Sequence, residues 1–133
     1  MNRIIKIGFF TGTLMLSSAA YAVSVVEYFS IQEQASVQNV VQAKARDSLN
    51  GLFAGLRDGL HAAMYFGGGV IKHDDRPIVC IGDMRQLTQS VVREALTDAI
   101  GTFERPKLSP SGAAAMPLGM HVVIGLSRKY PCH

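Results

Sequence analysis

The first 22 residues, MNRIIKIGFFTGTLMLSSAAYA, constrain everything that follows them, because they decide the chemical setting in which the rest of the chain folds. Arg3 and Lys6 form a short basic region. An almost wholly apolar run from Ile7 to Leu16 comes next, and Ala20-Tyr21-Ala22 supplies the small-x-small pattern read by signal peptidase. This is the anatomy of a secretory signal peptide, with cleavage expected after Ala22. A membrane anchor is the competing reading. It needs about 20 consecutive apolar residues, and Thr11, Gly12, Thr13, Ser17 and Ser18 interrupt this run. The expected mature protein is residues 23–133, exported to an oxidising compartment such as the periplasm and free of the membrane after cleavage.

Export changes how the charges and the cysteines read. Arg3 and Lys6 leave with the leader, so the whole-chain net charge of +3 falls to +1. That near-balance removes the electrostatic motive for nucleic-acid binding. Residues 23–133 suffice for one domain with a modest core. Only two cysteines are present, Cys80 and Cys132. In an oxidising compartment they most simply form one internal disulfide. An intermolecular bridge is the alternative, and two cysteines without nearby partners make a poor zinc motif. Closing a loop of this length stabilises the fold by about 4 kcal/mol on a chain-entropy argument.

Beyond the leader the pattern is helical, and an all-α bundle of about four helices with one intramolecular disulfide is expected. Over 40–66, Leu49, Leu52, Phe53, Leu56, Leu60 and Met64 recur at three- and four-residue spacing and build one apolar stripe. Gly51, Gly55 and Gly59 lie on an adjacent strip, where they are expected to let another helix approach closely. Gly67-Gly68-Gly69 stops the helix. VIKHDDRPIVC at 70–80 reads as a charged connector. A further helix is expected to open at Asp83, with Gln86 three residues on completing a capping box, and with Met84, Leu87, Val91, Ala95 and Leu96 on its buried face. Gly101 ends it. The stretch 102–116, TFERPKLSPSGAAAM, reads as a loop because Pro106 and Pro110 deny helix. Pro117 fits the first turn of a last helix, which Pro131 terminates. Segment 24–38 fits a short amphipathic helix better than a strand-like arm.

No catalytic constellation stands out, and a non-enzymatic role is expected. The densest polar group is Lys72-His73-Asp74-Asp75-Arg76. A histidine beside two carboxylates could move protons or hold a metal, but charged residues after a glycine run are more often simply solvated. His61 and His121 fall among apolar residues, as packed histidines do, and His133 is terminal. Ser109 and Ser111 border a proline in the manner of turn residues. Gly67-Gly68-Gly69-Val70 does not open a helix after a strand, so it is a poor phosphate cradle. Neither a cofactor nor a metal site is expected.

Three stretches occur in an order that resembles one family. LFAGLRDGL at 52–60 resembles the aliphatic-Ala-Gly-x-x-acid-Gly core of a central helix. CIGDMRQLTQSVVREAL at 80–96 resembles a cysteine, a short turn and an amphipathic helix. PLGMHVVIGLSRKYPC at 117–132 resembles a proline-initiated last helix ending in aromatic-Pro-Cys. Together they resemble the Tai-type immunity proteins, periplasmic antidotes to the peptidoglycan amidases of type VI secretion. The chain departs from that pattern at Ile81-Gly82, where a proline often follows the first cysteine, and in lacking a further cysteine or tryptophan near residue 23.

The resemblance implies a helical, disulfide-stapled domain over 23–133, often a homodimer, that binds a cognate amidase and occludes its active-site groove. A loop between later helices is the implied inhibitory element. Here that position is the 102–116 loop, whose candidate contacts are Phe103, Glu104, Arg105, Lys107, Leu108 and Ser109. An aromatic and an aliphatic anchor among charges suit recognition, whereas a plain surface connector is the competing reading. A small periplasmic chaperone of the acid-stress type is the alternative function.

Overall fold

The computed structural model describes residues 23–38, 40–107 and 116–133. The expected leader, residue 39 and residues 108–115, with Leu108 and Ser109 among them, lie outside the described residues.

Helix α1, Val25–Ser36, starts where the sequence supplies a complete cap. Ser24 holds an extended conformation, its hydroxyl accepts from the Glu27 amide, and the Glu27 carboxylate accepts from the Ser24 amide at 2.8 Å. Segment 24–38 is therefore helical, as its pattern suggested. Val25 and Tyr28 are fully inside, and Tyr28 meets Phe53 edge-on at 6.0 Å between ring centroids.

Helix α2, Gln42–Phe66, buries Ala45, Leu49, Leu52, Phe53, Leu56, Leu60 and Met64, which is the stripe expected from the spacing. Its end is made by glycine. Gly68 and Gly69 take φ of +72° and +90°, and the Gly69 amide donates back to the Met64 carbonyl at 2.7 Å.

The next segment corrects the all-α expectation. Residues expected to form a charged connector make an antiparallel hairpin, β1 (Val70–His73) and β2 (Arg76–Cys80), with Ile71 opposite Val79 and Val70 opposite Cys80. The turn between them is Asp74-Asp75, both with positive φ (47° and 61°). Two consecutive left-handed residues match the right-handed twist of a tight hairpin. Aspartate is among the few residues other than glycine that tolerate that conformation. Ile71 and Val79 point into the core while residues 72–77 are all exposed.

The helix expected to open at Asp83 starts later, and for a non-local reason. Asp83 caps only a 3-10 turn, Met84–Gln86, by accepting from the Arg85 amide, so Gln86 completes no capping box. The Nε2 of His61, on α2, lies 3.1 Å from the carbonyl oxygens of both Met84 and Leu87 and donates to them. Those carbonyls would have accepted from the next helical turn. Helix α3 therefore begins at Gln89, with the Thr88 hydroxyl accepting from the Val91 amide, and runs to Ile100. It buries Val92, Ala95, Leu96 and Ile100.

Helix α4, Leu118–Lys129, follows Pro117, which stands one position earlier than expected, at the N-cap. It packs against α3 at Gly125, where an added Cβ would sit 2.0 Å from the Ala95 carbonyl oxygen. The close approach expected at the α2 glycines is absent at Gly51, which is exposed and where a Cβ would meet nothing; Gly55 and Gly59 are half-buried. The α3–α4 contact is flanked by Lys129 paired with Glu94 and by Arg128 at 3.6 Å from Asp98. After α4 the Tyr130 carbonyl accepts from the Cys80 amide at 3.0 Å, and Cys132 is joined to Cys80 by the disulfide. The expected staple is present; it ties the tail to strand β2.

Among the described residues, then, the fold is four helices and one hairpin around a single core drawn from every element. No helix among those residues is long and apolar enough to cross a membrane.

Candidate interaction surface

The described part of the 102–116 loop is a pinned turn. Gly101 leaves α3 with φ of +76°, and a side chain there would collide with the Arg105 carbonyl at 2.2 Å. Thr102 and Arg105 exchange backbone hydrogen bonds at 3.3 and 3.1 Å, and the Thr102 hydroxyl also accepts from the Arg105 amide. The Lys107 amide then returns to the Ile100 carbonyl at 2.8 Å, and Gly101 pairs with Pro106. The chain thus leaves and re-enters the end of α3 through a closed ring of hydrogen bonds.

That ring decides how the candidate residues are presented. Glu104, Arg105 and Lys107 are exposed, while Phe103 is half-buried and so only partly available as an anchor. Four of the six candidate contacts are therefore gathered on one turn at the end of α3, and Leu108 and Ser109 are outside the described residues.

A second surface feature had no counterpart in the sequence reading. Strand β2 and the outer face of α4 enclose an apolar groove of about 400 Å³. Pro77 and Ile78 form one wall, Met120, Val123 and Ile124 the other, and Pro131 with Cys132 closes one end. His73 and Ser127 are its polar members. The disulfide sets this geometry, because it fixes the end of β2 beside the end of α4.

The polar residues singled out for chemistry are dispersed. His73 lies 3.4 Å from Asp74 at the hairpin tip, with both side chains mostly in solvent. His61 fastens the 3-10 turn to α2, His121 is 5% exposed within α4, and His133 is exposed. Among the described residues no group of three or more His, Cys, Asp or Glu side chains is arranged to hold a metal ion.

Among the described residues, perturbed ionisation is found at caps, in packing and at one surface ion pair. Burial pushes the Tyr28 hydroxyl up to about 12, with Arg93 opposing it, and Arg93 itself lies 4.3 Å above the Phe53 ring. Backbone and side-chain bonds from Ser24 hold Glu27 below its ordinary range, and the bonds from Arg85 do the same for Asp83. The bond to Glu94 raises Lys129. These are signatures of structure rather than of acid–base chemistry.

No family model, curated protein or solved structure matches this chain.

Proposed function

We propose that the chain is an exported immunity protein: after its leader is removed it resides in the periplasm, binds a type VI peptidoglycan amidase and occludes that enzyme's active-site groove. The observation that carries this reading is the pinned turn at the end of α3. That turn holds Glu104, Arg105 and Lys107 outward within a ring of backbone hydrogen bonds, so the three charges are presented in a fixed arrangement. Inhibition of an enzyme requires a protrusion already in its bound shape, because ordering a loose loop on binding costs affinity. The loop's second root is tied too, because the Leu118 amide donates to the Val23 carbonyl at 3.1 Å. On this reading the chain performs no chemistry of its own, and its working part is a surface.

The test is co-expression with an amidase of this class directed to the periplasm. Cells producing the wild-type chain survive. Cells producing the Arg105→Glu, Lys107→Glu double variant lyse, although that variant accumulates and folds as well as the wild type. Lysis in the presence of the wild-type chain sinks the proposal.

A further inference from the structure

The folded domain begins at the peptide bond where the leader is expected to end. Cleavage after Ala22 makes Val23 the first residue of the mature chain, and Val23 is already built into the fold. It is half-buried and packed against the core. Its carbonyl accepts from the Leu118 amide at 3.1 Å, which ties it to the start of α4. The next residue, Ser24, has both backbone groups engaged. Its amide donates to the Glu27 carboxylate at 2.8 Å, and its carbonyl accepts from the Tyr28 amide at 3.0 Å. Val25 is fully buried, and so is Tyr28.

Those are the atoms that a leader-removing protease has to hold. An enzyme that reads a peptide segment binds it extended, and main-chain hydrogen bonds supply much of the affinity. On the carboxyl side of the Ala22–Val23 bond, the Val23 carbonyl and both backbone groups of Ser24 are spent inside the domain. Releasing them means opening the first turn of α1. That breaks the capping box and draws Val25, the third residue after the bond, out of the core.

We propose that the folded domain seals its own cleavage site, so that the leader is removed before α1 docks and the chain crosses the membrane unfolded. A chain that crossed already folded would keep its leader. Helix α1 is the seal, and its capping box and its seat against Phe53 are what hold the seal shut. The proposal rests on residues 1–22 being a cleaved leader, as in the function proposed above, and on nothing that concerns an amidase.

The measurement is the rate at which purified signal peptidase cuts the full-length chain in detergent, after that chain has been refolded and oxidised. Cutting of a folded substrate follows the population of its opened form. The wild type is cut roughly a hundredfold more slowly than Phe53→Asp, because opening must expose Val25 and Tyr28. Phe53→Asp removes the ring against which Tyr28 sits and leaves the residues around the cleavage site unchanged. Ser24→Ala loses the cap and is cut about fivefold faster than the wild type. Added to Phe53→Asp, it changes the rate little, which separates the seal from any effect of residue 24 on the peptidase itself. Equal rates for the wild type and Phe53→Asp overturn the inference while leaving the leader reading intact. A Ser24→Ala effect of the same size in both backgrounds also overturns it. If Phe53→Asp is not cut after Ala22, residues 1–22 are not a cleaved leader, and the inference falls with that reading.

Discussion

The two helix pairs of this protein are held together by different means. The α3–α4 pair is closed by a backbone-to-backbone approach at Gly125, by two cross-helix ion pairs, and by a disulfide that ties the exit of α4 to β2. The α1–α2 pair has side-chain packing, a capping box and one bond from the Gln42 side chain to the Ala35 carbonyl. The candidate recognition turn grows from the first pair. Constraint is thus concentrated in the pair from which that turn grows, and the N-terminal pair supplies apolar area with little covalent or backbone constraint. Changes in the α3–α4 pair should therefore act on the whole fold, and changes at α1 should act mainly on α1.

The largest expected effect is loss of the bridge. Cys132→Ser should cost about 4 kcal/mol by enlarging the unfolded ensemble and should raise protease sensitivity over the tail. A melting temperature equal to that of the wild type would mean that the staple contributes nothing to the contrast between the pairs.

Gly125→Ala comes next. The new methyl group would lie 2.0 Å from the Ala95 carbonyl oxygen and 2.6 Å from its carbon. Both are backbone atoms, which cannot rotate away, so α4 must shift relative to α3 at a cost of about 3 kcal/mol. Urea unfolding measures this. Gly51→Ala, on exposed α2 surface, should be neutral or slightly stabilising by comparison. If the two substitutions behave alike, the close approach is not what holds α3 against α4.

His61→Ala tests the joint between the two halves. It removes the donor shared by the Met84 and Leu87 carbonyls, at a cost of about 2 kcal/mol. Amide exchange should quicken across residues 84–88 before it quickens in α1. Unchanged exchange there would place the joint elsewhere.

These three sites also separate what could be read along the chain from what could not. The α2 stripe was legible because one helix turns each of Leu49, Leu52, Phe53, Leu56, Leu60 and Met64 to the same side, and period alone reveals that. The pairing of Cys80 with Cys132 follows from the expectation of an oxidising setting. The start of α3 was not legible, because the donor that diverts the Met84 and Leu87 carbonyls comes from His61, more than 20 residues away. Nor was the close approach. Glycine spacing in α2 suggests one, yet spacing says nothing of which side a neighbour takes: Gly51 faces solvent, and the α3–α4 contact is made at Gly125. The hairpin was within reach. Lys72-His73-Asp74-Asp75-Arg76 is conspicuous for its charge, whereas the property that shapes the turn is the tolerance of aspartate for positive φ. The groove could not be read at all, since it exists only once the disulfide sets β2 beside α4.

The smallest effect belongs to α1 and depends on pH. Ser24 holds the Glu27 carboxyl below its ordinary value of 4.5, first through its backbone amide and then through its hydroxyl. A carboxyl depressed in the folded state adds stability above its unfolded pKa, and that stability disappears as the pH falls through the folded pKa. The cap should therefore be intact at neutral pH and loosen below about 4.5, where protonated Glu27 no longer accepts strongly from the Ser24 amide. Ser24→Ala removes one side of the box at every pH, costing about 1 kcal/mol, and should flatten the acid dependence of amide exchange within α1. Exchange in α3 and α4 should be untouched by the substitution at either pH. Were Ser24→Ala to quicken exchange in all four helices together, α1 would be as firmly bound to the rest as α4 is, and the contrast between the two pairs would fail.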